Sequence, residues 1–193
     1  MPNLPRLILA SRSPRRAEIL SAVGWSYEII VAGVDESLRS GETPLDYVQR
    51  LAVAKAEAVS AKVERGLILG ADTTVVVDGQ ILGQPTDRND AGRMLRLLNG
   101  RWHEVVTGVA IVRAGSAQRQ VGHEITRVRF AELTNDEIDW YVSTHEPMDK
   151  AGAYGVQGKA ALFIEEIQGD YFNVVGLPIR LVYELATGID GTT

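Results

Sequence analysis

Cysteine is absent from the 193 residues. That excludes disulfides, thiolate zinc sites and a cysteine nucleophile, and it fits a reducing cytoplasm. Histidine is scarce: only His103, His123 and His145 occur. No two stand four residues apart, so a histidine-built metal centre is not expected. An excess of positive charge is also missing. The formal net charge is −5, which speaks against a nucleic-acid polymer as partner and requires any anionic ligand to be held by local cations. No apolar run approaches the ~18 residues of a membrane span. The opening Met1-Pro2-Asn3-Leu4-Pro5-Arg6 lacks the long apolar core of a signal peptide. Repeats, low-complexity tracts and clear linkers are absent too; the length suits one domain or two small lobes, and residues 1–193 are taken as a single domain. With 45% hydrophobic and 23% charged residues, the chain has the composition of a soluble globular protein with a substantial core.

What is present alternates between strand and helix signals. Leu7–Ala10 and Glu28–Val31 read as strands. Leu67–Asp72 reads as a strand ending on a carboxylate. Thr73–Val77 and Gln80–Leu82, joined by Asp78-Gly79, read as a hairpin. Glu104–Val112, Arg119–Phe130 with a bulge or bend near Arg127, and Ala161–Ile167 are further strands. Helices are expected from Ser13-Pro14 to Val23, closed by Gly24, and from Thr43-Pro44 towards Val63. Others are expected over Thr86–Leu98, from a Thr134–Glu137 capping box to Val142, and over Pro178–Ala186, ended by Gly188. This pattern is an α/β protein with a mixed sheet.

Three features carry chemistry. Asp149 to Gly158 spaces three glycines among a carboxylate, an ammonium, a phenol and an amide, the composition of a loop that lets backbone approach a ligand. Ser11-Arg12-Ser13-Pro14-Arg15-Arg16 clusters three guanidinium groups at a strand-to-helix turn, where helix N–H groups and forked donors both favour phosphate. Asp72 follows a strand too apolar to be exposed, and Asp35-Glu36 lies after the second strand. Carboxylates of this kind beside a phosphate site suit a hard divalent cation such as magnesium. Lys55, on an Ala-rich helix face, could reach the same phosphates, although its spacing alone favours a surface lysine.

Taken together, Leu9 to Arg16, Val34-Asp35-Glu36-Ser37, Leu51 to Ala56, Gly70-Ala71-Asp72-Thr73, Glu146 to Gly158 and Gly169 to Pro178 resemble the Maf (septum-formation) family of nucleoside triphosphate pyrophosphatases, in the family's order and over nearly the full length. The resemblance implies an elongated α/β fold, a mixed sheet flanked by helices with a central cleft, related to inosine triphosphate pyrophosphatases. It implies hydrolysis of a nucleoside triphosphate to the monophosphate and pyrophosphate with Mg2+, Mn2+ or Co2+, in a cytoplasmic homodimer with a house-cleaning role linked to cell-division arrest. Asp72 matches the catalytic carboxylate, and with Glu36 the metal site. Ser11, Arg15, Arg16, Lys55, Thr73 and Gln157 match substrate-binding positions. Arg15, Thr73 and Gln157 are those of the dTTP/UTP branch, whereas the 7-methyl-GTP branch carries tryptophan and glutamine at the first two. The alternatives are that second branch and a nucleotide-binding regulator of septum formation without turnover. One departure stands out: Gln84 occupies the place of the family's usual lysine, with Arg88 or Lys159 as candidate replacements for its charge.

Overall fold

The computed structural model describes residues 6–31 and 33–190; residues 1–5, on which the signal-peptide reading bears, lie outside them. The strands are β1 (Leu7–Leu9), β2 (Tyr27–Ile29), β3 (Leu67–Val77), β4 (Gln80–Leu82), β5 (Trp102–Arg113), β6 (Arg119–Phe130) and β7 (Ile164–Gln168). The helices are α1 (Pro14–Ala22), α2 (Pro44–Ser60), α3 (Arg88–Leu98), α4 (Asn135–Ser143), α5 (Tyr171–Val175) and α6 (Ile179–Asp190). The strands form one mixed sheet in the order β2-β1-β3-β5-β6-β7, with β4 paired to β3 outside that path. β1 runs parallel to β2 and β3, while β3–β4 and β6–β7 are antiparallel. The expected α/β class with a mixed sheet and flanking helices is what is found. Among the described residues no helix is long and apolar enough to cross a membrane.

The chain divides into two compact units. One holds the described residues up to Asp72, Thr107–Glu124 and those from Gly176; the other holds Thr73–Val106 and Ile125–Val175.

In the first unit, α2 is the organising helix. Thr43 caps it by accepting the Asp46 N–H, and Pro44 opens it, as the sequence predicts. Its small stripe of Val48, Ala52, Ala56 and Val59 is fully buried. The sheet meets this stripe at glycines. A Cβ on Gly70 would lie 2.1 Å from the Ala52 carbonyl oxygen, and one on Gly108 would lie 2.4 Å from that of Val48. Only glycine permits such backbone-to-backbone contact. This approach has a consequence two residues on. Side chains alternate along a strand, so Asp72 shares its face of β3 with Gly70 and is carried to α2 beside Lys55. Gly70→Ala is therefore expected to cost about 3 kcal/mol or more in urea denaturation, since neither backbone can yield without repacking the core. It should also separate Lys55 from Asp72; an unchanged denaturation midpoint would refute the close-packing account.

α1 ends in a Schellman arrangement, as Gly24 predicts. Gly24 takes φ +69°, its N–H donates to Ser21 O, and Trp25 N–H donates to Leu20 O. Its start differs from expectation: Ser13 holds the N-cap position but its side chain makes no capping bond. α6 runs through Gly188 instead of stopping there. Burial of Ile189 beyond the glycine, in line with Val182 and Ala186, outweighs the ~1 kcal/mol propensity cost of an interior glycine.

The second unit packs Val75, Leu82, Met94, Leu95, Phe130, Tyr141 and Phe163 into one core. Asp78 (φ 50°) and Gly79 (φ 76°) make the predicted tight turn between β3 and β4. The Thr134–Glu137 capping box forms in both directions. α3 begins at Arg88, capped by Asp87, two residues later than expected. The irregularity of β6 against β7 falls at Arg129/Phe130, close to the bulge or bend expected near Arg127. β7 itself starts at Ile164, because Lys159–Phe163 turn as a 3-10 segment.

Candidate active site

Asp72 is not at the end of a strand. It lies in the middle of the eleven-residue β3, three residues past Leu69, where the parallel pairing with β1 ends. A carboxylate tolerates that interior position because it has a partner: Lys55 Nζ donates to Asp72 Oδ1 at 2.6 Å. The same ammonium lies 2.9 Å from Glu36 Oε1. Asp72 is buried, and Glu36 is more than half exposed. Burial pushes the Asp72 carboxyl above the ordinary range, against the pull of Lys55 and Arg16, while the Glu36 charge adds to the rise. Glu36 is held in place by its loop. Its carbonyl accepts the Tyr47 hydroxyl at 3.0 Å, and Arg50 ties Ser37 O and the Glu42 carboxylate to α2. Asp35, by contrast, folds back on its own loop, accepting the Ser37 N–H at 2.9 Å.

Two carboxylates within reach of one ammonium converge on a point. They match the sparse protein ligation of magnesium, which takes one or two carboxylates and completes its shell with water and substrate phosphate. Among the described residues there is no group of three or more His, Asp or Glu that would form a closed metal cage. Asp72 and Glu36 are the carboxylates whose oxygen chemistry suits a hard divalent cation.

Arg16 is buried at the foot of α1. Its Nε donates to Gly176 O at 2.9 Å, and one terminal nitrogen donates to Ala71 O at 2.9 Å and Ser11 Oγ at 3.1 Å. Burial lowers its pKa first; Asp72 and Glu36 raise it and Arg15 lowers it further, which places all four charges in one electrostatic group. Ser11 Oγ accepts from both Arg16 and the Ser13 N–H (3.2 Å). With both lone pairs engaged, its hydroxyl can act only as a donor, the polarity that a phosphate oxygen needs. Arg15 is half-buried and Arg12 exposed. The first unit thus brings together Ser11, Arg15, Arg16, Glu36, Lys55 and Asp72, six of the positions singled out from sequence.

Thr73 follows on β3, half-buried, and Gln157 lies exposed at a turn of the second unit. Here the glycine spacing has a different cause from the one expected. The glycines of this loop make room for the chain's own groups. A Cβ on Gly152 (φ +66°) would press on Val75, one on Gly155 would lie 2.6 Å from Lys150 Cε, and one on Gly158 would lie 2.1 Å from Glu146 Oε1. Lys150 Nζ is held by Glu146 O (2.7 Å) and Asp149 Oδ1 (2.6 Å). Gln84 Nε2 donates to Asp149 O at 3.3 Å, so this residue serves the loop backbone. Of the two candidate replacements for the missing lysine charge, Arg88 contacts His145 and Lys159 Nζ lies 3.6 Å from Glu146. Glu146 and Lys150 were not singled out as site residues; a long side chain five residues before Gly155 and another twelve before Gly158 were the available signal.

His103 is deeply buried in the same unit, with Nε2 2.7 Å from the Tyr154 hydroxyl and edge contacts to Phe130 and Tyr154. Burial pushes its pKa from 6.5 down to about 4. The unfolded chain therefore binds a proton near pH 6.5 that the folded chain refuses until about 4. Stability should fall as pH drops through that window, by on the order of 3 kcal/mol from this group. His103→Gln, which cannot titrate, should flatten the slope in denaturant titrations between those limits; an unaltered slope would exclude His103 as its source.

Residues 6–189 match the family described as Maf-like protein. The chain is 52% identical over 184 residues to a dTTP/UTP pyrophosphatase of Symbiobacterium thermophilum, covering 95% of this chain and 94% of that one. It is 50% identical over 184 residues to a protein of the same name from Bacillus cytotoxicus, covering 94% and 95%. A third of that name, from Moorella thermoacetica, is 49% identical over 189 residues, covering 97% of each. Among solved structures, the Staphylococcus aureus Ham1 protein superposes with a TM-score of 0.54 at 15% identity, covering 97% of this chain and 100% of that one. A HAM1 protein from Coxiella burnetii gives 0.51 at 13%, covering 97% and 99%. At such identity these two establish the fold alone.

Proposed function

Since the chain belongs to the Maf-like protein family, we propose that it is a nucleoside triphosphate pyrophosphatase acting on dTTP and UTP, the substrates named for its relatives. The observation that carries this reading is the single group of Asp72, Glu36, Lys55, Arg16 and Ser11, with a buried carboxylate facing cations and a hydroxyl preset to donate.

The reaction is attack of water on the α-phosphorus. A bond forms from the water oxygen, the bond to the oxygen bridging the α- and β-phosphorus breaks, and pyrophosphate leaves. Asp72, buried beside Lys55, orients the water and accepts its proton. Ser11 donates to a phosphate oxygen. Lys55 and Arg15 offset the charge that builds on the departing group. Asp72 and Glu36 would hold Mg2+, Mn2+ or Co2+, which supplies Lewis-acid polarisation of the phosphoryl oxygens. Thr73 and Gln157 read the pyrimidine edge, for which an amide offers both donor and acceptor. The protein works in the cytoplasm, as a homodimer.

The test is pyrophosphate release from dTTP, UTP, CTP, GTP and 7-methyl-GTP with each metal. Turnover of dTTP and UTP well above the rest supports the reading. Nucleotide binding without released pyrophosphate would identify a regulator instead.

A further inference from the structure

We propose that Glu146 is a positioning residue for base recognition: it grips the backbone behind the Gly155–Gly158 turn and so fixes how that turn presents Gln157. The proposal rests on the reading of Gln157 given above.

The Glu146 carboxylate is aimed at the loop. Oε1 and Oε2 accept the Lys159 N–H at 2.9 and 3.2 Å, and Oε1 accepts the Tyr141 hydroxyl at 3.1 Å. Burial works against its ionisation, but the Lys159 N–H and the Tyr141 hydroxyl outweigh that and hold the carboxyl below its usual range. It is thus an anion accepting charge-assisted bonds from main chain, stronger than neutral ones. The contact is close enough to dictate the neighbouring residue, since any side chain at Gly158 would overlap Oε1. The other end of the turn is gripped by the same segment: the Lys150 stem lies on Gly155 while its ammonium bonds Glu146 O. Between these two grips the turn closes through the Gly158 N–H to Gly155 O bond, 3.1 Å, and Gln157 stands exposed at its tip. Such a frame limits where the Gln157 amide can be, and an amide that reads a base edge loses discrimination when its register is loose.

Glu146→Gln in the full chain keeps the shape but replaces one acceptor oxygen by a donor. We expect KM for dTTP and UTP to rise roughly ten-fold, the loss of one charge-assisted hydrogen bond, with kcat changed less than about two-fold. Preference for dTTP over GTP in kcat/KM should fall by a similar factor, and backbone hydrogen exchange at Lys159 should accelerate. Tyr141→Phe, which removes the hydroxyl donor alone, should move the same quantities less, and it carries the test if Glu146→Gln does not fold. A purely structural role would lower the melting temperature and leave base preference intact, and that result overturns the proposal. Gln157→Ala separates the two readings. If it leaves base preference unchanged, base reading by Gln157 falls and the proposal with it. If it abolishes the preference while Glu146→Gln and Tyr141→Phe leave it intact, the Glu146 proposal alone falls.

Discussion

Asp72→Asn is expected to lower pyrophosphate release from dTTP by about a thousand-fold or more while the protein stays folded and binds nucleotide. General-base assistance accounts for roughly 10²–10⁴ in rate, and the same substitution would weaken the hold on the divalent cation proposed above. The fold should survive because asparagine is isosteric and its carbonyl can still accept from Lys55, now 2.6 Å from Oδ1. The change removes a negative charge facing Lys55 and Arg16, but Glu36 stays 2.9 Å from Lys55 and limits the repulsion. Rate should be measured as pyrophosphate release and binding by calorimetry with dTTP. Turnover within about ten-fold of the parent would remove Asp72 from its role; loss of both turnover and the folded state would instead make it a structural anion.

Much of the frame is legible in local chemistry. Asp78-Gly79 and the Thr134–Glu137 box specify their turn and cap from a few adjacent residues, and both form as expected. β6 has the bounds that its alternation predicts. The misreadings share one cause, long-range packing. Asp72 reads as the end of a strand that includes Gly70, yet β3 runs on through it to Val77. α2 needs the missing side chain at Gly70, and Lys55 neutralises the carboxylate at Asp72. Gly155 and Gly158 read as room for a ligand, whereas the room is taken by Lys150 and Glu146. Lys55 shows the reverse: a helix lysine that spacing alone assigns to the surface becomes the bridge between two acids, through contacts 17 and 19 residues away in sequence.

Arg16→Met should cost about 3–5 kcal/mol of stability and most of the activity, the largest folding effect expected at the site. Two terms oppose each other. Methionine relieves the desolvation of a buried guanidinium, the main reason that its pKa is lowered. It also strips donors from Gly176 O, Ala71 O and Ser11 Oγ. Each lost hydrogen bond to the charged guanidinium costs about 1.5–3 kcal/mol, and Asp72 loses a countercharge as well, as in the breaking of buried ion pairs. The losses outnumber the gain, so destabilisation wins. Arg16→Lys keeps the charge but cannot span acceptors on either side of a planar fork, and about 2 kcal/mol should still be lost. Urea denaturation at neutral pH measures both values. If Arg16→Met matched the parent in stability, the guanidinium would be no brace between α1, β3 and Gly176; its part in the site would then be electrostatic, and dTTP affinity in the folded variant would fall without any loss of stability.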